Sequence, residues 1–144
     1  MKAFLKTYWL EFLLFAVGLV GAAIAMPFLP GSVPRQWSGG QVAATMPKAG
    51  LFLIPAVQLA VCFLFHWQLK RCLDKLPALA PTLSGVEYLL PGILSVVCLS
   101  LELCVMLAAW GMAVNIAVVL LVELALVPVV FLAFLAKKFL EKIR

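Results

Sequence analysis

Residues 88–136 read YLLPGILSVVCLSLELCVMLAAWGMAVNIAVVLLVELALVPVVFLAFLA, 49 residues without a lysine or arginine. As one straight helix this run would measure roughly 73 Å at about 1.5 Å per residue, more than twice a ~30 Å hydrocarbon core. It therefore folds back, and Gly111 and Asn115 are the turn-compatible residues near its middle. Two spans follow, at about 87–110 and 115–136. Upstream, apolar runs at about 10–29 and 49–69 each approach the ~20 residues that cross a bilayer. The expectation is an all-α integral membrane protein, one membrane domain over 1–144. Its four-transmembrane-helix bundle has an outer loop at 30–48 and a cytoplasmic loop at 70–86.

Composition agrees. With 66% hydrophobic residues, 12% charged residues and a mean hydropathy of +1.17, the chain lies outside the range of soluble domains, and lipid is its solvent. The net charge of +5 comes in short clusters between apolar runs, without the basic stretch or aromatic interleaving of a nucleic-acid binder. Those clusters set orientation, because basic loops are retained on the cytoplasmic side. With both termini in the cytoplasm, nine basic residues lie inside (Lys2, Lys6, Lys70, Arg71, Lys75, Lys137, Lys138, Lys142, Arg144) and two outside (Arg35, Lys48). Tyr8, Trp9, Trp67, Tyr88 and Trp110 fall at the expected span ends, where amphipathic rings prefer the headgroups. The basic amino terminus and Ala23-Ile24-Ala25 resemble a secretory signal. Glu11 interrupts the apolar region, however, and hydrophobicity continues through Leu29, so the segment reads as a first span.

The chemistry-bearing residues are few. Cys62, Cys72, Cys98 and Cys104 form no C-x-x-C and His66 is the only histidine, so no metal site, redox dithiol or cofactor is expected. Reduced thiols are expected, with Cys72 in the cytoplasmic loop. No nucleophile-elbow or phosphate-loop motif occurs, and the chain reads as a non-enzyme. Glu102 lies nine residues before Gly111 and Glu123 eight after Asn115, each about 12 to 13 Å in from the turn, so an antiparallel hairpin brings them to one depth, where they can face each other. A charge at the bilayer centre costs about 2.5–3.5 kcal/mol, and no lysine or arginine lies in a span to offset it. Protonation, a shared proton, or a cation or water-filled cavity would compensate. Two readings stay open: neutral acids that hold helices together, or a proton, cation or ligand site. Ser95, Cys98, Glu102 and Ala109 recur at helical spacing as an interior stripe.

Other features carry structural readings. Ser84-Gly85-Val86-Glu87 is a capping box opening the third span. Gly18-x-x-x-Ala22 and Gly21-x-x-x-Ala25 allow close helix approach. Pro55 and Pro128 lie inside spans, where each removes a backbone donor. His66 beside Trp67 reads as interfacial, Glu11 and Gln58 receive the same bland reading, and Asp74 is a solvated loop charge.

The outer loop differs in kind. Pro30, Gly31, Pro34, Gly39 and Gly40 specify defined turns, and Trp37 is an aromatic away from any span end. It is either a compact lid or a binding loop, with Pro30, Pro34, Arg35, Gln36, Trp37 and Gly40 as the candidate ligand or partner residues. Leu29, Pro30, Val33, Pro34, Trp37, Gly40, Val42 and Lys48 resemble the pattern of domain of unknown function 1648 (DUF1648), over about residues 25–70. Gln36 stands where that family usually has His, and Ser38 where it usually has Asn. The domain also forms the amino-terminal part of the SdpI-like bacterial immunity proteins, which protect a producer cell from its own secreted peptide toxin. The Arg-Thr-Pro-Trp-type segment of their second domain is absent here. The resemblance implies a multi-pass protein of the bacterial cytoplasmic membrane, acting in toxin immunity or signalling, with no catalytic residues to transfer. Its expected partners are the lipid bilayer and a secreted peptide or another membrane subunit, with oligomers allowed. The alternatives are a small proton- or cation-coupled transporter using Glu102 and Glu123, and an accessory subunit of a membrane complex.

Overall fold

The computed structural model describes residues 8–38, 40–77, 80–83 and 85–143. Four helices are long and apolar enough to cross a membrane. Helix α1 (Trp9–Ala25) ends in a 3-10 turn, Met26–Phe28. A second 3-10 turn, Lys48–Phe52, leads into α2 (Leu53–Asp74). A single helical turn, Ala80–Leu83, precedes α3 (Val86–Ala109), and α4 is Ile116–Ile143. In lipid every backbone polar group needs a partner, and a helix supplies its own.

The predicted fold-back is present. At the end of α3, Gly111 (φ +82°) donates to the Ala108 carbonyl at 3.0 Å and Met112 to Leu107 at 3.1 Å. This double closure needs a left-handed residue, and glycine takes that conformation without a Cβ penalty. Asn115 then opens α4, its Oδ1 accepting from the Val118 N–H at 3.3 Å.

Several expectations are corrected. Residues 30–48, expected as a loop of defined turns in an all-α protein, hold an antiparallel hairpin, β1 (Ser32–Ser38) and β2 (Gln41–Pro47), so the fold is not purely α. Ser38 pairs with Gln41 around a two-residue turn whose Gly40 sits at φ +80°. The register slips on either side of Gln36, after a proline that cannot donate to the ladder, and Arg35 is left without a paired residue in this bulge. Helix α2 runs through Cys72 to Asp74, with the Arg71 guanidinium 4.6 Å above the Trp67 ring, which shortens the expected loop 70–86. Helix α4 passes residue 136 to Ile143, because its charged last turns are good helix formers that need no lipid. The cap of α3 is Gly85 rather than Ser84, which lies outside the described residues. Glu87 still reaches back, accepting from the Gly85 N–H at 2.8 Å.

The expected four-helix bundle is three helices and a flank. Helices α1, α2 and α3 pack on one another, whereas the α4 span has no buried residue in its most apolar window and meets α3 over a short stretch. Its side chains are Val, Leu and Ile nearly all round, and lipid solvates such a surface as well as a neighbouring helix does. At the hairpin end, Ala22, Ala25, Leu29, Val33, Leu51, Val105 and Met106 form the apolar core.

Candidate functional site: a hairpin plug above a buried polar column

The hairpin is anchored by the residues of its motif. Leu29 is 5% exposed and Val33 fully buried in the core cluster, while Pro34 is also buried. Lys48 has a structural post, its Nζ donating to the carbonyls of Met26 at 3.0 Å and Leu29 at 3.4 Å. Those carbonyls lie at and just past the carboxyl end of α1, where orphan acceptors and the helix dipole favour a cation. Trp110 adds an Nε1–H bond to the Phe28 carbonyl at 3.3 Å. Trp37, expected in either a compact lid or a binding loop, is half-buried against the core cluster. Among the candidate loop residues, Pro30, Arg35, Gln36 and Gly40 are exposed. Strand β1 lies against the last turns of α3. Among the described residues strand β2 pairs with β1 alone, leaving a free edge from Gln41 to Met46 with no charge and no proline.

Beneath the plug runs a polar column that hydropathy counting missed. Along α2, Pro55, Gln58, Cys62 and His66 fall on one buried stripe. Ser95 and Glu102 do so on α3, and Glu11 is buried on α1. The lowest rung depends on a third interior proline, Pro91, not singled out in the sequence. Pro91 has no N–H, so the Glu87 carbonyl four residues earlier lacks its helical donor. His66 Nδ1 lies 2.7 Å from that carbonyl and, since a carbonyl only accepts, carries the proton. His66 is therefore a buried clasp, ringed by Tyr8 and Tyr88 at about 5 Å. The Tyr8 phenol is held above its ordinary value of 10.0, first by its burial and then by Tyr88 and Glu11. On the next rung, Cys62 Sγ lies 3.0 Å from Ser95 Oγ and donates to the Pro91 carbonyl at 3.4 Å.

Three other groups of the column lack partners among the described residues. Glu102 and Gln58 are both 0% exposed and Glu11 is 3% exposed. Among the described residues, neither oxygen of Glu102, neither amide atom of Gln58, and not Oε2 of Glu11 has a hydrogen-bond partner. Each such group costs about 1–3 kcal/mol when dry. Glu102 lies over Gly18 so closely that a Cβ there would sit 2.6 Å from Oε2, with Pro55 alongside. Gly18, Ala22 and Ala25 are buried and serve packing, as expected, and Gly18 admits a carboxyl group, whereas a Cβ at Gly21 would meet nothing within 4 Å.

Glu102 and Glu123 do not face each other. Ser100 Oγ donates to Glu123 Oε1, and positions 100 and 102 lie about 200° apart around α3. Helices α1 and α2 cover the Glu102 face and α4 covers the Ser100 face, so a proton shared between the two acids is ruled out. Glu123 instead borders a lateral groove of about 240 Å³ with Ile93, Val96, Val97 and Leu126. Among the described residues no group of three His, Cys, Asp or Glu side chains is placed to hold a metal ion. The four cysteines are unbridged.

These features define a multi-pass helical membrane protein whose three-helix core is stoppered by a β-hairpin. The family model of DUF1648, a domain of unknown function, matches residues 13–59. That segment runs from α1 through the hairpin into the first turns of α2, earlier at both ends than the resemblance in the sequence, and it leaves out Glu102. No curated protein and no solved structure matches the chain.

Proposed function

We propose that this chain is a non-enzymatic component of the bacterial cytoplasmic membrane, inserted with both termini inside, whose outer hairpin recognises a secreted peptide in immunity or signalling. The observation that supports this reading is the free, uncharged β2 edge beside exposed Arg35 and Gln36. An extended peptide adds to such an edge through main-chain hydrogen bonds, and neighbouring side chains supply selectivity. Arg35, held out by the bulge, suits an acidic group or a peptide carboxylate.

The test is survival of a susceptible bacterium, with and without the chain, across a panel of secreted membrane-active peptides. Protection against one class is expected, lost in Arg35→Ala and in a β2 variant with proline at Ala43, at unchanged membrane levels. No protection against any peptide would sink the reading. Trp37→Ala is a poorer probe, because it also removes packing from the core. A proton- or cation-coupled transporter is a second reading. The single feature that favours it is Glu102, enclosed without a partner, and not the pair with Glu123.

A further inference from the structure

The five unpartnered buried polar atoms of Glu11, Gln58 and Glu102 all lie between three helices, and their order follows from the packing. Helices α2 and α3 run antiparallel, with His66 against Glu87, Cys62 against Pro91 and Ser95, and Pro55 near Glu102. Gln58, one turn from Cys62 on the same stripe, falls between the Ser95 and Glu102 levels. Tyr8 on α1 meets Phe63 and His66, and Gly18 meets Pro55, which sets Glu11 at the level of Cys62. From Ser95 to Glu102 is seven residues, or about 10 Å. The column is closed above Glu102 by Ala22, Val33, Leu51, Val105 and Met106. Below, it ends at Tyr8, His66 and Tyr88, beside a cavity of about 430 Å³ lined by Lys70, Asp74, Glu87 and Tyr88.

Buried polar atoms without protein partners are satisfied by water where two to four such groups converge. We propose that Glu102 is an internal proton-binding site, neutral at rest, reached from the His66 end through waters held by Glu11, Gln58, Ser95 and Cys62. The step is simple: a carboxylate oxygen of Glu102 takes a proton passed along the waters, and the negative charge at Glu102 is neutralised. A metal ion fits poorly, since hard cations take six or more oxygens and Gly18 contributes no side chain. The groups packed around Glu102 supply no counter-charge. Gly18 of α1 and Pro55 of α2 lie against it; Gln58 is one turn further along the α2 stripe, Glu11 lies about two turns below Gly18 on α1, and Val33 of the hairpin belongs to the apolar core cluster with Ala22 and Val105. Arg35 faces solvent, Lys48 is engaged by the carbonyls of Met26 and Leu29, and Glu123 is on the far side of α3. This inference does not rest on peptide recognition.

With six Asp and Glu residues in the chain, infrared spectroscopy of the purified protein in lipid can assign each protonated carboxyl. A protonated-carboxyl C=O band is expected at neutral pH, retained in Glu123→Gln, absent in Glu102→Gln, and shifted in Glu102→Asp should the glutamine variant fail to fold. In D2O the band should exchange rapidly, and at least tenfold more slowly in Gln58→Leu. No protonated band in the folded wild-type protein, or a band unchanged in both Glu102 variants, overturns the site. Exchange unaffected by Gln58→Leu and accelerated only by Val33→Ala places access at the hairpin end and overturns the path.

Discussion

The two faces of α3 each border a glutamate, Glu102 of its own and Glu123 of α4, in different surroundings. Toward α1 and α2 the helix presents Glu102, enclosed on all sides and seated on a glycine; toward α4 its Ser100 meets Glu123 at the rim of an open apolar groove. One interface is specified by shape and polar registry, the other by a single hydrogen bond and lipid-like contact. Within a membrane apolar burial adds little to helix association, so close packing and hydrogen bonds decide which faces meet.

The sharpest way to break this comparison is at α1. Gly18→Leu should abolish accumulation of folded protein, since its first side-chain carbon already collides with Glu102. Gly21→Leu, with no atom within 4 Å of its added carbon, should leave membrane levels and thermal stability unchanged. Equal effects at the two glycines would remove the distinction. Next in size, Lys48→Met should destabilise the hairpin end by about 1–3 kcal/mol, because the α1 carbonyls lose their charged donor; a heat-challenge assay on the solubilised protein reads this. Glu123→Gln keeps an acceptor for Ser100 and should change stability by less than about 1 kcal/mol. Smallest is Lys137→Ala, which removes an exposed pair with Glu141 at 4.0 Å and should cost no more than about 0.5 kcal/mol. If Glu123→Gln proved as damaging as Gly18→Leu, the α3–α4 contact would be a packed interface after all.

How much was legible varies by residue. Gly111 and Asn115 announce their turn, because each serves its local backbone, and Glu87 likewise reaches its own helix end. The hairpin was readable in principle: a Gly-Gly pair separates two short runs, although Pro34 within one of them argues for a loop. The motif Leu29, Val33 and Lys48 was visible as a pattern, but that two of these fill a core and the third caps a helix was not. Glu11, Gln58 and His66 looked like isolated polar residues within the spans. Only packing shows them on one column, with Pro91 creating the acceptor that His66 fills.

By itself the sequence determined the number of spans and the place of the fold-back. These depend on local hydropathy and on the need of each backbone group for a partner in lipid, which a helix meets within its own few residues. The pairing of helix faces, the looseness of α4, the separation of Glu102 from Glu123 and the polar column were decided by tertiary structure. Each depends on rotations and registers between segments distant in the chain, and any helix with apolar residues all round is compatible with many of them.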